Sequence, residues 1–87
     1  MMEIKQQYML REIVGDYVLV PTGSTVNDFN GLIILNEVAR FIWENYEKAK
    51  DEDELLGFIL DEYEVERDVA KADLDEFLDI LRKNEIV

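Results

Sequence analysis

The spacing of hydrophobic residues changes character near residue 36. Before it, apolar residues come in short runs rich in β-branched and aromatic side chains, at positions 8–14, 17–20 and 32–35. Short runs of this kind, bounded by turn residues, are typical of β-strands. After it, apolar residues recur every three or four positions, which is the period of an amphipathic helix. The pattern predicts three strands followed by helices.

Turn residues separate the predicted strands. Gly15 and Asp16 lie between the first two apolar runs, and a glycine in the first position favours a tight hairpin with a type II′ turn. Pro21 ends the second strand because proline cannot donate to a sheet ladder. The polar stretch 22–30 that follows predicts a loop.

Three helices account for the rest of the chain. Asn36 is a predicted N-cap of a first helix that runs to about Lys48, and Asp51 with Glu54 has the spacing of a capping box for the second. The last helix begins near Glu66. The predicted apolar faces are Val38, Phe41, Ile42 and Tyr46; Leu56, Ile59, Leu60 and Tyr63; and Ala70, Leu74, Phe77, Leu78 and Leu81.

These elements predict an α+β domain in which a three-stranded antiparallel sheet is followed by three helices. The order is that of a winged helix-turn-helix. The last helix is expected to end near Asn84, a residue that tolerates the left-handed conformation of a helix C-cap. With 87 residues, the chain is expected to form a single domain over residues 1–87.

Acidic residues dominate the charge: 21 Asp and Glu against 9 Lys and Arg give a formal net charge of −12. Nucleic acid and anionic membrane surfaces attract clustered Lys and Arg, so neither is expected as a partner. The sequence contains neither a basic start before a long apolar core nor an apolar run of about 18 residues. A cytoplasmic location is therefore expected.

The residues offer little for catalysis. Cysteine and histidine are absent, which removes disulfides, thiolate metal ligands and most routes to nucleophilic catalysis. The acidic cluster 51–53 lacks the spacing of a calcium loop, and the four glycines are too scattered for a phosphate-binding loop. We expect no catalytic residue, no metal and no cofactor, so the chain is predicted not to be an enzyme.

One apolar run does not fit a simple antiparallel sheet. Residues 32–35 are apolar at every position, although one face of such a sheet normally meets water. Helices could bury both sides of this strand. Alternatively, the strand could form an open edge that accepts a guest strand, with pockets between it and the last helix for guest side chains.

Several segments follow one another in a characteristic order. A valine-rich strand ends in Pro21, and DFNG, a further apolar strand and LNE before a Phe-Ile-Trp segment come next. DEYEVE and ADLDEFLDILRKNEIV complete the pattern. Over nearly all 87 residues, this order and spacing resemble the PqqD-like family.

The resemblance implies a winged helix-turn-helix-like fold and a peptide chaperone. The family's namesake acts in pyrroloquinoline quinone biosynthesis, and its relatives are RiPP precursor peptide recognition elements. These bind a precursor's leader peptide as an added strand and present it to a modifying enzyme, commonly a radical S-adenosylmethionine maturase. By this resemblance, the peptide-binding residues are Leu32, Ile33, Ile34, Leu35, Leu74, Phe77, Leu78 and Leu81.

Two other functions remain open at the level of sequence. A winged-helix transcriptional regulator is suggested by the fold alone, and the acidic last helix argues against it. A structural subunit could instead use the same edge to form a homodimer. The basic residues of the last helix could steer an acidic leader, although solvated surface charge is the simpler reading. They are Arg67, Lys71, Arg82 and Lys83.

Overall fold

A computed structural model describes residues 2–5, 8–22 and 33–87. Strands β1 (Tyr8–Ile13), β2 (Asp16–Pro21) and β3 (Ile33–Leu35) form an antiparallel sheet in the order β1-β2-β3. The helices are α1 (Glu37–Asn45), extended by a 3-10 turn over Tyr46–Lys48, then α2 (Glu52–Glu62) and α3 (Arg67–Lys83). The predicted α+β fold is confirmed. The predicted strand residue Leu32 and the DFNG segment lie outside the described residues.

The hairpin turn lies one residue earlier than predicted. Ile13 pairs with Asp16, so the loop consists of Val14 and Gly15, and both have positive φ, 48° and 84°. Positive φ at both central positions is the requirement of a type I′ turn, so the predicted Gly15-Asp16 type II′ turn was wrong. The register explains the difference: it places Leu10 opposite Leu19, and a slip of one residue would turn one strand's side chains to the other face.

The core lies between one face of the sheet and the helices. Leu19 is opposite Ile33 and Tyr17 is opposite Leu35, so these pairs share the face that the helices cover. The apolar stripe predicted for the last helix is confirmed as buried over its whole length. The largest fully buried side chains are Leu19, Ile42, Leu55, Ile59, Leu74, Leu78, Leu81 and Ile86.

Side-chain caps fix where α1 and α2 begin. The Asn36 side chain accepts a hydrogen bond from the Ala39 N–H at 2.8 Å, which confirms the predicted N-cap. Asp51 accepts from the Glu54 N–H at 2.9 Å, as a capping box requires. The Glu54 carboxylate accepts from the N–H of Lys50 at 3.1 Å, one residue before the cap. The second half of the box is therefore shifted by one position.

The C-terminal end of α3 folds back onto the core. The helix ends at Lys83 with Asn84 as its C-cap, as predicted, but the left-handed conformation is adopted by the next residue, Glu85, with φ of 57°. Hydrogen bonds from Glu85 N–H to Arg82 and from Ile86 N–H to Leu81, at 3.0 and 2.9 Å, form a Schellman motif. The motif buries Ile86 completely beside Leu81. Of the helices in the described residues, none combines the length and apolar character needed to cross a membrane.

Candidate functional site: a groove between β3 and α3

The two faces of β3 have opposite environments. Ile33 and Leu35 are 8% and 4% exposed and pack into the core, whereas Ile34 between them is 72% exposed. The interpretation in which helices bury both sides of this strand is therefore wrong. A β-branched apolar side chain of this size, left in water on a sheet, is a candidate contact for another molecule.

The backbone of β3 is also open along one side. Within the described residues, β3 pairs with β2 and with no other strand, so it is an edge of the sheet. In an antiparallel ladder the N–H and C=O groups of successive residues alternate between the two sides of a strand. Some of the polar groups of residues 33–35 therefore point away from β2, where a further strand could pair with them.

A small cavity lies beside this edge. Its volume is about 120 Å³, and residues from β3, the start of α1 and one side of α3 line it. The α3 residues fall at i, i+3, i+4 and i+7, which places them on one face of the helix. Phe77 also belongs to the core, so it forms the floor. The lining residues are Ile34, Asn36, Ala39, Asp73, Glu76, Phe77 and Ile80. We call this cavity and the adjoining edge of β3 the groove.

The groove contains two of the eight sequence-predicted binding residues, Ile34 and Phe77. Leu32 lies outside the described residues. The other five are buried in the core and support the groove from behind; a direct role for them in binding stays a prediction. They are Ile33, Leu35, Leu74, Leu78 and Leu81.

Sequence reasoning missed five residues of the groove. Asn36 was assigned only a capping role, and Asp73, Glu76 and Ile80 lie just outside the buried stripe of the last helix. Their helical positions were a usable signal, because they share one face with Phe77. Ala39 is small, and its position could be inferred only from its place one turn after Asn36.

Negative charge in the groove is uncompensated. Asp73 and Glu76 have no ion pair or hydrogen bond among the described residues. Two other carboxylates of α3 are paired, Asp75 with Lys71 at 3.2 Å and Asp79 with Lys83 at 2.9 Å. The nine basic residues all lie in the described part of the chain, and none lines the groove.

Groups with a shifted pKa lie elsewhere. Burial raises the pKa of Tyr8, Tyr46 and Tyr63, and the Glu37 carboxylate adds to the effect at Tyr63. Tyr63 packs edge-on against Phe41, with ring centroids 5.4 Å apart. None of these three tyrosines lines the groove, so the raised pKa values reflect burial elsewhere in the molecule.

A second concavity of about 850 Å³ is wider and more open. It lies between the N-terminal segment, the hairpin and the end of α1, and Trp43 is its largest aromatic residue. Within the described residues, β1, which contributes Tyr8 and Leu10 to it, is also an edge of the sheet. However, no apolar residue that lines this concavity is as exposed as Ile34, and the lining is more polar than that of the groove. We therefore regard the smaller groove as the better candidate for recognising a polypeptide.

The groove suits an extended chain better than a small molecule. Small-molecule sites are usually about 300–1,000 Å³, whereas this cavity holds little more than one side chain. Within the described residues, no group of three or more acidic side chains could hold a metal ion. The groove offers backbone hydrogen-bonding groups, an apolar floor and two carboxylates, which together can hold a strand with one inserted side chain.

Comparison with known proteins identifies the family and supports the fold. A family model described as coenzyme PQQ synthesis protein D (PqqD) matches residues 16–87, a range that includes β2, β3 and all three helices. A solved structure of TbiB1 in complex with the TbiA(beta) leader peptide has a TM-score of 0.72 and 27% sequence identity, over 98% of this chain and 93% of that chain. Curated protein sequences gave no match. The predicted resemblance is confirmed, and the chain belongs to the PqqD family.

Proposed function

We propose that this protein binds the leader segment of a ribosomally synthesised precursor peptide and holds it for a separate modifying enzyme. The observation that carries the proposal is the open edge of β3 beside a cavity with an apolar floor and an acidic rim, with Ile34 exposed at their junction. The similar structure of TbiB1 is a complex with a leader peptide, which supports the same class of ligand.

Strand addition explains how the groove would bind. A guest strand beside β3 would satisfy the open N–H and C=O groups of residues 33–35, and these bonds do not depend on the guest sequence. Specificity would come from a guest side chain entering the cavity and contacting Ile34, Phe77 and Ile80. An aliphatic side chain suits the cavity because it would be enclosed by apolar surface.

The protein's part in the chemistry would be positional. Tethering a precursor raises the local concentration of its modification site near the enzyme, without any catalytic group on the carrier. We propose a radical S-adenosylmethionine maturase as the enzyme partner, on the basis of the family resemblance. Copurification of such an enzyme with this protein and its precursor would test that partner separately from leader binding.

Calorimetric titration of two charge-matched variants tests the binding site. The ligands are synthetic peptides that match the N-terminal halves of short open reading frames beside this gene. Ile34→Asp places a charge at the apolar side of the cavity, and we expect at least a tenfold loss of affinity for a peptide that binds the wild type. Circular dichroism should show unchanged helical content, because Ile34 is outside the core.

Ile13→Asp is the matched control. Ile13 is 47% exposed and lies on the same face of the same sheet, but on β1, at the opposite edge from β3 and outside the groove. The control should bind like the wild type. Equal losses for both variants, or unchanged affinity for Ile34→Asp, would place the binding site elsewhere. Light scattering on the unliganded protein distinguishes peptide capture from pairing of two copies through the same edge.

A further inference from the structure

Helix α3 has two sets of charged residues, one paired and one unpaired. Lys71 and Lys83 pair with Asp75 and Asp79 at i,i+4 spacing, and none of these four residues lines the groove. Arg82 reaches Glu52 on α2 at 3.2 Å. Three of the four basic residues of α3 are thus already engaged by carboxylates, and these residues do not offer an acidic peptide a free cation at the groove.

The groove side shows the opposite arrangement. Asp73 and Glu76 are one turn apart, line the cavity, and have no partner in the described residues. Arg40 follows the cavity residue Ala39 in α1, but its guanidinium lies over the Tyr17 ring at 4.9 Å and pairs with Glu44. The two carboxylates therefore line the cavity next to Ile34, Phe77 and Ile80 without a counter-charge among the described residues, in a protein of net charge −12.

We infer that the peptide bound in the groove carries a lysine or arginine that reaches Asp73 and Glu76, next to the aliphatic residue in the cavity. The inference rests on the proposed leader-binding function and adds a specificity rule to it. A long basic side chain fits both features: its methylene stem can cover Ile80 while its charged end meets the carboxylates. A guest with an acidic residue at this position would be repelled, which excludes competing peptides.

A selection experiment tests the rule without knowledge of the natural precursor. The probe is a phage-displayed library of random peptides, selected on immobilised full-length protein. Wild type should enrich peptides that combine an aliphatic residue with Lys or Arg at a fixed spacing. The variant Asp73→Asn/Glu76→Gln should keep the aliphatic preference and lose the basic one, because both substitutions keep shape and remove charge.

The matched control is Asp75→Asn/Asp79→Asn. It removes two charges from the same helix, but from carboxylates that already pair with Lys71 and Lys83 and do not line the groove. It should select the same basic residue as the wild type. Replacing that residue by Gln in one selected peptide should weaken binding to wild type by about 3- to 10-fold, less at high salt, and leave binding to Asp73→Asn/Glu76→Gln unchanged.

The outcomes separate the specificity rule from the function. Peptides enriched without a basic residue, or equal loss of the basic preference in both double variants, would overturn the rule while strand binding stands. If no peptide is enriched, or if enriched peptides bind Ile34→Asp as well as wild type, the proposed function fails and the rule fails with it.

Discussion

Strand β3 and helix α3 each have a core side, whose residues are buried, and a groove side, whose residues line the cavity. Neighbouring residues in the sequence belong to different sides. On β3, Ile33 is buried and the next residue, Ile34, is exposed. On α3, Leu78 is 1% exposed, whereas Ile80, two positions later, is 36% exposed and lines the cavity. Residue type does not separate the two sides, because both contain aliphatic side chains.

Charge is what distinguishes them. The core side contains only apolar residues, whereas the groove side mixes Ile34 and Ile80 with Asp73 and Glu76. A buried unpaired carboxylate would cost several kcal/mol, so carboxylates beside apolar residues mark a surface that stays in contact with water until a partner covers it. The difference teaches that stability and recognition can be assigned to opposite faces of the same short elements.

The largest effect should come from truncating one aliphatic residue on each side. Leu78→Ala removes a fully enclosed side chain and should lower the free energy of unfolding by about 3 kcal/mol. Ile80→Ala should change it by less than about 1 kcal/mol, because the residue is partly exposed and alanine favours a helix. Urea denaturation monitored by circular dichroism measures both.

Peptide titration of the same pair completes the comparison. At a temperature where both variants are folded, Ile80→Ala should bind the leader peptide more weakly and Leu78→Ala should bind like the wild type. Loss of affinity in Leu78→Ala alone would show that the buried stripe contributes directly to recognition, as the sequence-based residue set predicts.

Helix caps provide a second pair with smaller effects. Asn36→Ala and Asp51→Ala each remove a side chain that accepts a hydrogen bond at a helix N-terminus, and each should cost about 1 kcal/mol of stability. The two caps differ in location: Asn36 and Ala39, whose N–H it accepts from, both line the groove, whereas Asp51 does not. Thermal unfolding should therefore show similar losses, while only Asn36→Ala weakens peptide binding. Equal affinities would assign Asn36 to capping alone.

Periodicity predicted most of the fold. The buried stripe of α3 and the N-caps Asn36 and Asp51 followed from local spacing, because helix periodicity and capping are short-range effects. The hairpin turn and the left-handed residue near the C-terminus were each misplaced by one residue. In both cases, tertiary contacts fix the position: the Leu10–Leu19 register sets the turn, and the burial of Ile86 accompanies the left-handed Glu85.

The groove was harder to predict for a physical reason. A residue that faces the core and one that faces a partner can both be apolar, so the sequence pattern suggested a site on β3 but could not show which residues are exposed. It could not distinguish the exposed Ile34 from the buried Ile33. Local i,i+4 spacing is enough to pair Asp75 with Lys71 and Asp79 with Lys83. That the unpaired Asp73 and Glu76 line a cavity is known only once the helix is placed against β3.

The smallest effect concerns Val14 at the hairpin tip, the most exposed large apolar residue in the described part of the chain. Val14 is 98% exposed and has a left-handed backbone that β-branched residues rarely adopt. Val14→Asn places the residue favoured before glycine in a type I′ turn, and should stabilise the protein by about 0.5–1 kcal/mol. Thermal unfolding measures the gain, and peptide titration should show unchanged affinity.

Because Val14 is more exposed than Ile34 but lies at a hairpin tip, a loss of binding would mean that the recognised surface extends from the groove along the sheet to its tip. Unchanged binding would support the view that the edge and the cavity, and not apolar exposure alone, define the site.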